Sequence, residues 1–523
     1  MKHHFCNSHG DSQICLEQPI LVPCYQRILQ GNGAAPTTWV LISTPLLNML
    51  REAQKGGKFT SPITKNRTHI VGYAYVDDMD IISMNNQDIN LTADEVMEDM
   101  QLAIDIWEGG LKATGGAIVP KKSWVYPINF TFDNKGQWHY QSADDIGVEF
   151  TVQDHQNIQN TLNTFGPSVG KEILGVILSP DGNNNNAVKA MKNKATEWKD
   201  LVQSGHLKRH TAWQALETTI MKTMEYPLPA LTLTATECNS IMQPILKAAL
   251  PKTSISQSFP RKVLYGPLTE GGLGLNSLYY TQGTMHLEKF QILLGTSTMT
   301  NSLLQVSMES TQLEVGIGQS IFQLDFQKYG LLLTDCWLKH LWSFTQSNNI
   351  ILIDRFTNFP TPQRENDVFL MEVMVHEGFS KTKLLQINRC RLYLGVLTVS
   401  DIMNGYGNGF NSAYKGDKDN TRHSPFNWPR QEKPGAQCIK IWKSALRQTF
   451  GLRQGRTQYT LGKWFYKPSN LWRWYYSPAT THLYQRFGIV WQIWSQLHVR
   501  DQLGSTPKFR YFSNCINLPS QIF

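Results

Sequence analysis

Two short apolar and aromatic segments flank a pair of adjacent aspartates in this sequence of 523 residues. The first segment runs from His69 to Val76 and the second from Met79 to Ser83, so that Asp77 and Asp78 lie between them. Short apolar runs separated by two turn-forming residues are typical of a β-hairpin. We therefore predict a hairpin whose turn carries two carboxylates.

Helical patterns lie on both sides of this hairpin. The Gly-rich segment 30–36 is typical of a turn that opens a helix, because Pro36 fits a first helical turn. Thr92 and Glu95 have the spacing of a capping box, and Gly109-Gly110 is predicted to end the helix that follows. Residues 52–68 have the composition of a polar linker. Strands and helices mixed in this way predict the α+β class.

The rest of the chain is predicted to be mainly helical. Residues 187–250 are rich in Lys, Met and Trp at helical spacing, and 277–400 are typical of amphipathic helices. The Gly- and Pro-rich stretch 404–436 favours a loop or linker. A basic, aromatic segment follows it.

Charge and tryptophan are concentrated at the C-terminal end. Residues 401–523 hold 17 Lys and Arg against 5 Asp and Glu, and they hold seven of the 15 Trp. Cations and flat rings together suit a single-stranded nucleic acid, for which Trp472, Arg473 and Trp474 are the candidate contacts. The same composition fits a small aromatic core with a solvated basic face, and the sequence leaves both interpretations open.

Composition excludes several classes of protein. No run of apolar residues is long enough to span a membrane as a helix, so we expect no membrane partner. The eight cysteines contain no C-x-x-C pair and are too sparse for a disulfide scaffold. These features favour a reducing, intracellular location, in the nucleus or the cytoplasm.

The adjacent carboxylates suggest metal chemistry. Asp77 and Asp78 at a hairpin turn could share divalent cations through their oxygens, as two-metal phosphoryl transfer requires. The structural alternative is an ordinary β-turn, in which Asp-Asp is common.

The order of motifs along the chain resembles the palm of reverse transcriptases, most closely those of eukaryotic mobile elements. That order is Gln30-Gly31 at a helix start, Tyr75-Val76-Asp77-Asp78, Thr114-Gly115-Gly116, and Pro120-Lys121-Lys122. The resemblance covers about residues 1–280. It implies a partial palm, an antiparallel sheet with helices, at 1–170. It also implies a primer-contact hairpin and helical thumb at 171–265. A helical region at 266–403, the linker at 404–436 and the basic aromatic segment at 437–523 follow.

The resemblance also implies roles for particular residues. Asp77 and Asp78 would hold Mg²⁺ or Mn²⁺, and Tyr75 would lie near the primer terminus. Gln30, Gly31 and Gly33 would border the incoming nucleotide and the template. Lys122 would face the triphosphate, with Lys121 as the alternative. The implied partners are an RNA template, a DNA primer and deoxynucleoside triphosphates.

The sequence departs from the family pattern at its start. The family uses a third carboxylate on a strand upstream of the Gln-Gly segment, and only Asp11 and Glu17 precede Gln30. Asp11 lies in a segment typical of a turn, and the fingers are not recognisable. We therefore expect an N-terminally truncated relative with impaired activity, or a gene model that lacks its upstream exons. Whether a separate chain supplies the missing palm strand and fingers stays open. Whether the chain is an enzyme stays open. The alternatives are a non-catalytic nucleic-acid-binding remnant of a retroelement and a decayed product without a role.

Overall fold

The computed structural model describes the core of the chain and parts of its ends. The described ranges are 2–7, 10–17, 35–75, 78–84, 92–134, 136–353, 356, 358–418 and 424–465, with further strands at 474–477, 482–487, 490–499 and 508–519. Side chains are described between residues 37 and 465 of these ranges, except at 38 and 143. The fold is of mixed α and β type, with small, mostly antiparallel sheets before residue 180 and helices dominating from 185 to 450.

The described residues of the first part of the chain form three antiparallel hairpins and two long helices. The elements are β1 Lys2–Asn7, β2 Gly10–Glu17, α1 Ala35–Glu52, β3 Gly57–Thr60, β4 Arg67–Ile70, β5 Gly72–Tyr75, β6 Asp78–Ile81 and α2 Ala93–Ala113. Strands β1 and β2, β3 and β4, and β5 and β6 form the hairpins.

Two local predictions for this region are wrong. Asp11 lies in β2 opposite Cys6 and not in a turn. Residues 52–68 are not a plain linker, because they contain β3 and the start of β4. A distant contact explains the second difference: the buried carboxylate of Glu309 accepts the backbone N–H groups of Ile63 and Thr64 at 2.9 and 3.0 Å. The loop between the two strands is thereby fixed, which sequence proximity cannot reveal.

Helix α2 confirms the predicted capping box but continues past its predicted end. The Thr92 backbone N–H donates to Glu95 at 2.6 Å, and the Glu95 N–H donates to the Thr92 hydroxyl at 3.3 Å. The helix runs through Gly109 and Gly110 to Ala113, so the predicted stop is wrong. Gly110 is buried, and a Cβ there would lie 2.8 Å from the Leu46 side chain of α1. The glycine lets the two helices approach closely and does not end α2.

A series of short strands separates these helices from the helical region. They are β7 Trp124–Val125, β8 Phe130–Phe132, β9 Trp138–Tyr140, β10 Thr151–Gln153, β11 Gln159–Thr161, β12 Asn163–Thr164, β13 Lys171–Ile173 and β14 Val176–Leu178, with a short helix α3 Ala143–Ile146 after β9. Strands β7 and β12 pair in parallel, while β8–β9, β10–β11 and β13–β14 are antiparallel hairpins.

The single antiparallel palm sheet that we predicted does not form among the described strands. Before residue 180 they are all two-stranded units. One cause is that a side chain pairs with the free edge of β10. The Gln101 side-chain amide of α2 donates to the Thr151 carbonyl and accepts a hydrogen bond from the Thr151 N–H, each at 2.9 Å. A side chain therefore occupies hydrogen-bonding groups of β10 that a neighbouring strand would need.

The middle of the chain is a compact group of helices that follows the β13–β14 hairpin. Its helices are α4 Asn185–Ser204, α5 Arg209–Ala215, α6 Met221–Glu225, α7 Ala235–Lys252, α8 Arg261–Leu264 and α9 Leu278–Leu294, with a π-helical turn at 216–220. Apolar side chains of α4, α6, α7 and the β14 strand share one buried cluster, which includes Met191, Met224 and Ile245. The predicted helical pattern of this region is confirmed.

The last helices form a second and larger core. They are α10 Met299–Val315, α11 Phe326–Tyr329, α12 Trp337–Ser347, α13 Leu370–His376, α14 Lys381–Leu394 and α15 Ala436–Phe450. The described part of the predicted linker at 404–436 is an irregular loop that packs into this core: the Trp442 indole donates to the Ala413 carbonyl at 2.9 Å. The boundary at 404–436 therefore does not separate two cores.

Small antiparallel strands complete the described chain. Strands β15 Leu452–Arg453 and β16 Arg456–Thr457 form a hairpin. Strands β17 Trp474–Ser477, β18 His482–Phe487, β19 Val490–Val499 and β20 Lys508–Pro519 form a four-stranded sheet in sequence order. Among the helices described, none is both long and apolar enough to cross a membrane.

A fully buried arginine joins three segments of the larger core. The Arg391 guanidinium of α14 donates to the Leu313 and Glu314 carbonyls at 2.7 Å and to the Val396 carbonyl at 3.1 Å. Its Nε donates to Asn388 at 2.8 Å. Burial lowers the pKa of Arg391 to about 9, which leaves the group charged at neutral pH.

We expect Arg391→Met to lower the free energy of unfolding by about 3 kcal/mol or more, because it leaves buried carbonyl groups without a hydrogen-bond donor. Arg391→Lys should also destabilise, since an ammonium cannot reproduce the planar fork. Urea denaturation followed by circular dichroism measures both changes. Lys383→Met, at an exposed position of the same helix, is the control and should change stability by no more than about 0.5 kcal/mol. Equal midpoints for the Arg391 and Lys383 variants would contradict this assignment.

The buried His286 of α9 should make stability depend on pH. Its Nε2–H donates to the Leu228 carbonyl at 3.1 Å, and burial lowers its pKa to about 4. Below about pH 6.5 His286 binds a proton in the unfolded chain, whereas in the folded chain it stays neutral. The free energy of unfolding therefore falls as the pH drops below that value. Between pH 7.5 and pH 5 we expect a loss of about 2 kcal/mol from this group.

His286→Gln keeps a hydrogen-bond donor and removes the titration. Chemical denaturation at pH 7.5 and pH 5 should therefore show a smaller drop for this variant than for the native chain. Exposed His155→Gln is the control and should retain the native drop. An unchanged pH dependence in His286→Gln would show that other groups cause it.

Candidate functional site

The β5–β6 hairpin presents tyrosines and aspartates on one face. Its register pairs Tyr73 with Asp80 and Tyr75 with Asp78 across the two strands. Cross-strand partners lie on the same face, as do residues two apart along a strand. All four side chains therefore share one face, and Tyr73 and Tyr75 are 49% and 64% exposed.

The opposite face of the hairpin packs on the helices. Met79 and Ile81 contact a cluster that contains Leu46 and Leu50 of α1 together with Trp107 of α2. Below the hairpin, the Ile82 N–H donates to the Val71 carbonyl at 3.1 Å. The apolar face thus sets the orientation, which directs the aromatic and acidic face away from the core.

A partly buried ion pair supports the base of the hairpin. The Lys55 ammonium lies 2.6 Å from one oxygen of Asp99, and the Ser83 hydroxyl donates to the other oxygen at 2.7 Å. The His69 Nε2–H donates to the Lys55 carbonyl at 2.8 Å. These contacts join α2 to the segments on both sides of the hairpin, so Asp78 lies on an anchored scaffold.

Asp80 lies in a surrounding that disfavours its negative charge. Desolvation by the surrounding protein raises the pKa of Asp80, and the negative charge of Asp78 raises it further. Bringing carboxylates together in this way costs free energy that a divalent cation can offset, and carboxylate oxygens are the ligands that Mg²⁺ prefers. The donor chemistry therefore fits a hard cation. Within the described part of the chain, no cluster of three or more His, Cys, Asp or Glu forms a ready-made metal site.

The structure brings together some of the predicted site residues. Tyr75 and Asp78 are direct cross-strand partners, but Asp78 begins strand β6 and does not lie in the turn, so that detail of the prediction is wrong. Asp77, Gln30, Gly31 and Gly33 lie outside the described residues.

Lys122 belongs to a different element of the chain. It ends the 3₁₀ turn Pro120–Lys122, where Lys121 and Lys122 are both exposed. Ile118, two residues before this turn, packs on the apolar cluster that supports the β5–β6 hairpin. Trp472 and Arg473 lie outside the described residues, while Trp474 is the first residue of β17.

Two residues of the face were missed from the sequence. Tyr73 and Asp80 each lie two positions from a residue that was singled out, Tyr75 and Asp78 respectively. The period of two in a β-strand is the signal that could have found them.

The surface of the middle group of helices carries more exposed cations than carboxylates, although Glu197 and Asp200 of α4 are exposed as well. Exposed cationic side chains cover α4 and the helices that follow it: Lys189, Lys192, Lys194, Lys208, Arg209 and Lys222. Lys222 is partly neutralised by Glu225 at 2.8 Å. This surface offers several charges that a polyanion could contact.

Comparison with known proteins identifies no relative: no family model, no curated protein and no solved structure matches this chain.

The β5–β6 hairpin should depend on Gly72. A Cβ at this position would lie 1.9 Å from the Asp80 carbonyl oxygen, so any side chain forces the strands apart. We expect Gly72→Ala to destabilise the chain by about 1–3 kcal/mol and to speed amide exchange in β5 and β6. Thermal unfolding with hydrogen-exchange mass spectrometry measures both effects. Gly109→Ala is the matched control, because a Cβ there meets nothing within 4 Å. It should leave stability unchanged or raise it by up to about 1 kcal/mol.

Proposed function

We propose that this chain is a reverse-transcriptase-like protein: the reaction of the family it resembles is RNA-templated DNA synthesis from deoxynucleoside triphosphates, and this activity is impaired in the present chain. The observation that carries the proposal is the exposed face of the β5–β6 hairpin, where Tyr75 lies opposite Asp78 within the motif Tyr-Val-Asp-Asp. The order of the other motifs along the sequence supports it. A hairpin packed on two helices through its apolar face suits a reaction that requires fixed carboxylates.

In this proposal the aspartates hold divalent metal ions. Asp77 and Asp78 would bind Mg²⁺ or Mn²⁺, with Asp80 as a neighbour that adds negative charge to the face. When bound, such ions activate the attacking oxygen of the primer and neutralise charge on the phosphates. Tyr75 would contact the primer end, and Lys122 would supply a counter-charge to the triphosphate. Gln30, Gly31 and Gly33 would border the nucleotide and the template.

A second candidate function is binding of nucleic acid without catalysis. The exposed cations on α4 to α6 favour it, because they need no metal to contact phosphates. Trp472, Arg473 and Trp474 would add stacking and charge from the C-terminal segment.

Primer extension separates the two functions. The purified chain is supplied with an RNA template, a DNA primer and the four triphosphates, first with Mg²⁺ and then with Mn²⁺. We expect Asp77→Asn/Asp78→Asn to reduce extension at least about 100-fold, because several kcal/mol of charge stabilisation are lost. Binding of the primer–template should change little.

The chain offers a matched control for this double variant. Asp144 and Asp145 are a second adjacent pair, both exposed, in the short helix α3. Asp144→Asn/Asp145→Asn removes the same charge elsewhere and should leave extension intact. Extension that survives in the Asp77/Asp78 variant would refute the assigned site. Salt-sensitive binding without any extension by the native chain would favour the second function.

A further inference from the structure

The β8–β9 hairpin carries four aromatic rings on one face. Its register pairs Phe130 with Tyr140 and Phe132 with Trp138, while Thr131 and His139 occupy the other face. The ring centroids of Phe130 lie 5.7 Å from Trp138 and 5.2 Å from Tyr140, and those of Trp138 and Tyr140 lie 5.5 Å apart. We call this set of four side chains the aromatic face.

The aromatic face does not contribute to the cores of the protein. In the described part of the chain, none of its four rings belongs to or packs on a buried hydrophobic cluster. Phe130 and Trp138 are 52% and 39% exposed. The cross-strand ring contacts help to stabilise a two-stranded hairpin, while the exposed surfaces of Phe130 and Trp138 remain available to a ligand.

The hairpin is held against the segment that precedes α15. Gly136, with φ of +71°, lies so close that a Cβ would be 2.8 Å from the Lys433 carbonyl oxygen. The Arg430 guanidinium lies 6.0 Å from the centroid of Phe132 and is exposed. A cation thus borders the rings at the side where the two segments meet.

A cleft of about 730 Å³ continues from Trp138 between this segment, α10 and α14. Amide side chains recur in its lining: Gln137, Gln386, Asn427 and Gln431. The buried Oε1 of Gln386 has no hydrogen-bond partner among the described residues. Arg389 also lines the cleft. Amides both donate and accept hydrogen bonds, which matches the edges of nucleobases.

The charges near the aromatic face are mixed. Arg430 lies 3.4 Å from Glu432, and His139 lies 3.7 Å from Asp133. Glu314 lines the cleft, but its carboxylate accepts hydrogen bonds from Thr334. Phosphate neutralisation alone would therefore bind a polyanion weakly here. The cleft is lined by leucines, by the Trp138 ring and by amides. Apolar contact with flat rings and hydrogen bonds from amides would therefore contribute more to binding than charge does, and both kinds of contact suit nucleobases.

We propose that the aromatic face and the adjoining cleft bind the unpaired bases of a single-stranded nucleic acid. The rings of Phe130 and Trp138 stack on bases, the amides contact base edges, and Arg430 contacts the backbone. The site goes beyond the proposed polymerase chemistry, since it uses neither Asp78 nor a metal ion. Its volume lies within the range typical of small-molecule sites and is adequate for a nucleotide.

The test measures how much of the affinity depends on bases. Fluorescence anisotropy in EDTA compares the full chain binding a labelled oligouridylate with its binding of an abasic oligonucleotide of equal length. The difference reports stacking and base contacts, because the phosphates are the same. We expect Phe130→Ala/Trp138→Ala to weaken oligouridylate binding by about 5- to 150-fold and abasic binding little. Trp138→Tyr should retain most of the affinity.

Two controls identify the site. Tyr406→Ala removes an 86% exposed ring outside the aromatic face and should leave affinity unchanged. Trp472→Ala/Trp474→Ala tests the C-terminal segment, the other candidate for stacking. The proposal is overturned if the preference for bases disappears in that variant and persists in Phe130→Ala/Trp138→Ala. The emission of Trp138 is the part of the tryptophan fluorescence that Trp138→Tyr removes. The proposal is also overturned if a proline-rich peptide quenches this emission and the oligonucleotide does not.

The outcome is separable from that of the proposed function. Binding is measured without divalent ions and is repeated with Asp77→Asn/Asp78→Asn, which should bind oligouridylate as the native chain does. A chain that binds bases but does not extend a primer would support this site and refute the polymerase proposal alone.

Discussion

The larger core is organised around the fully buried guanidinium of Arg391. Arg391 donates to carbonyl groups at the end of α10 and to Val396 beyond its own helix α14. A helix end leaves carbonyl groups without partners, and burying them is costly unless donors are supplied. Arginine suits this place because its planar fork reaches several acceptors at once. The ring of Trp428 lies 5.7 Å from the guanidinium and brings the segment before α15 to the same point.

Helix α10 connects this core to the hairpins of the first part of the chain. Its buried Glu309 accepts two backbone N–H groups and the Thr64 hydroxyl from the loop between β3 and β4. A buried carboxylate is tolerated when hydrogen-bond donors replace its hydration. The position of the β3–β4 loop therefore depends on a residue about 245 positions away. The β5–β6 hairpin follows β4 directly, so its placement depends on the same anchor.

The two exposed hairpins differ in the chemistry of their faces. The β5–β6 face combines two tyrosines with two aspartates, and its apolar side is fixed by α1 and α2. The β8–β9 face has four aromatic rings, no carboxylate among them, and a cation at its border. The first arrangement suits metal ions, and the second suits flat, weakly polar ligands such as bases. In both cases alternation along paired strands concentrates one chemistry on one side.

The sequence predicted those features that depend on contacts between residues close together in the chain. The capping box of Thr92 and Glu95 formed as expected, because both partners lie within one turn of the helix. The adjacent aspartates and their apolar flanks were enough to predict a hairpin. The sequence alone did not reveal that α2 runs on through Gly110. This glycine leaves room for the side chain of Leu46, which belongs to another helix. Nor did it reveal that the loop at 404–418 belongs to the core, because the partner of Ala413 is Trp442.

The sequence by itself determined which segments become helices and where carboxylates and aromatic residues recur. Tertiary structure alone decided which residues of different strands share a face. Tyr75 joins Asp78, and Trp138 joins Phe130, only once strand pairing has set the register. The physical reason is that capping and helical periodicity act over a few residues. Register, glycine contacts and buried charges such as Arg391 and Glu309 depend on partners that the chain meets only after folding.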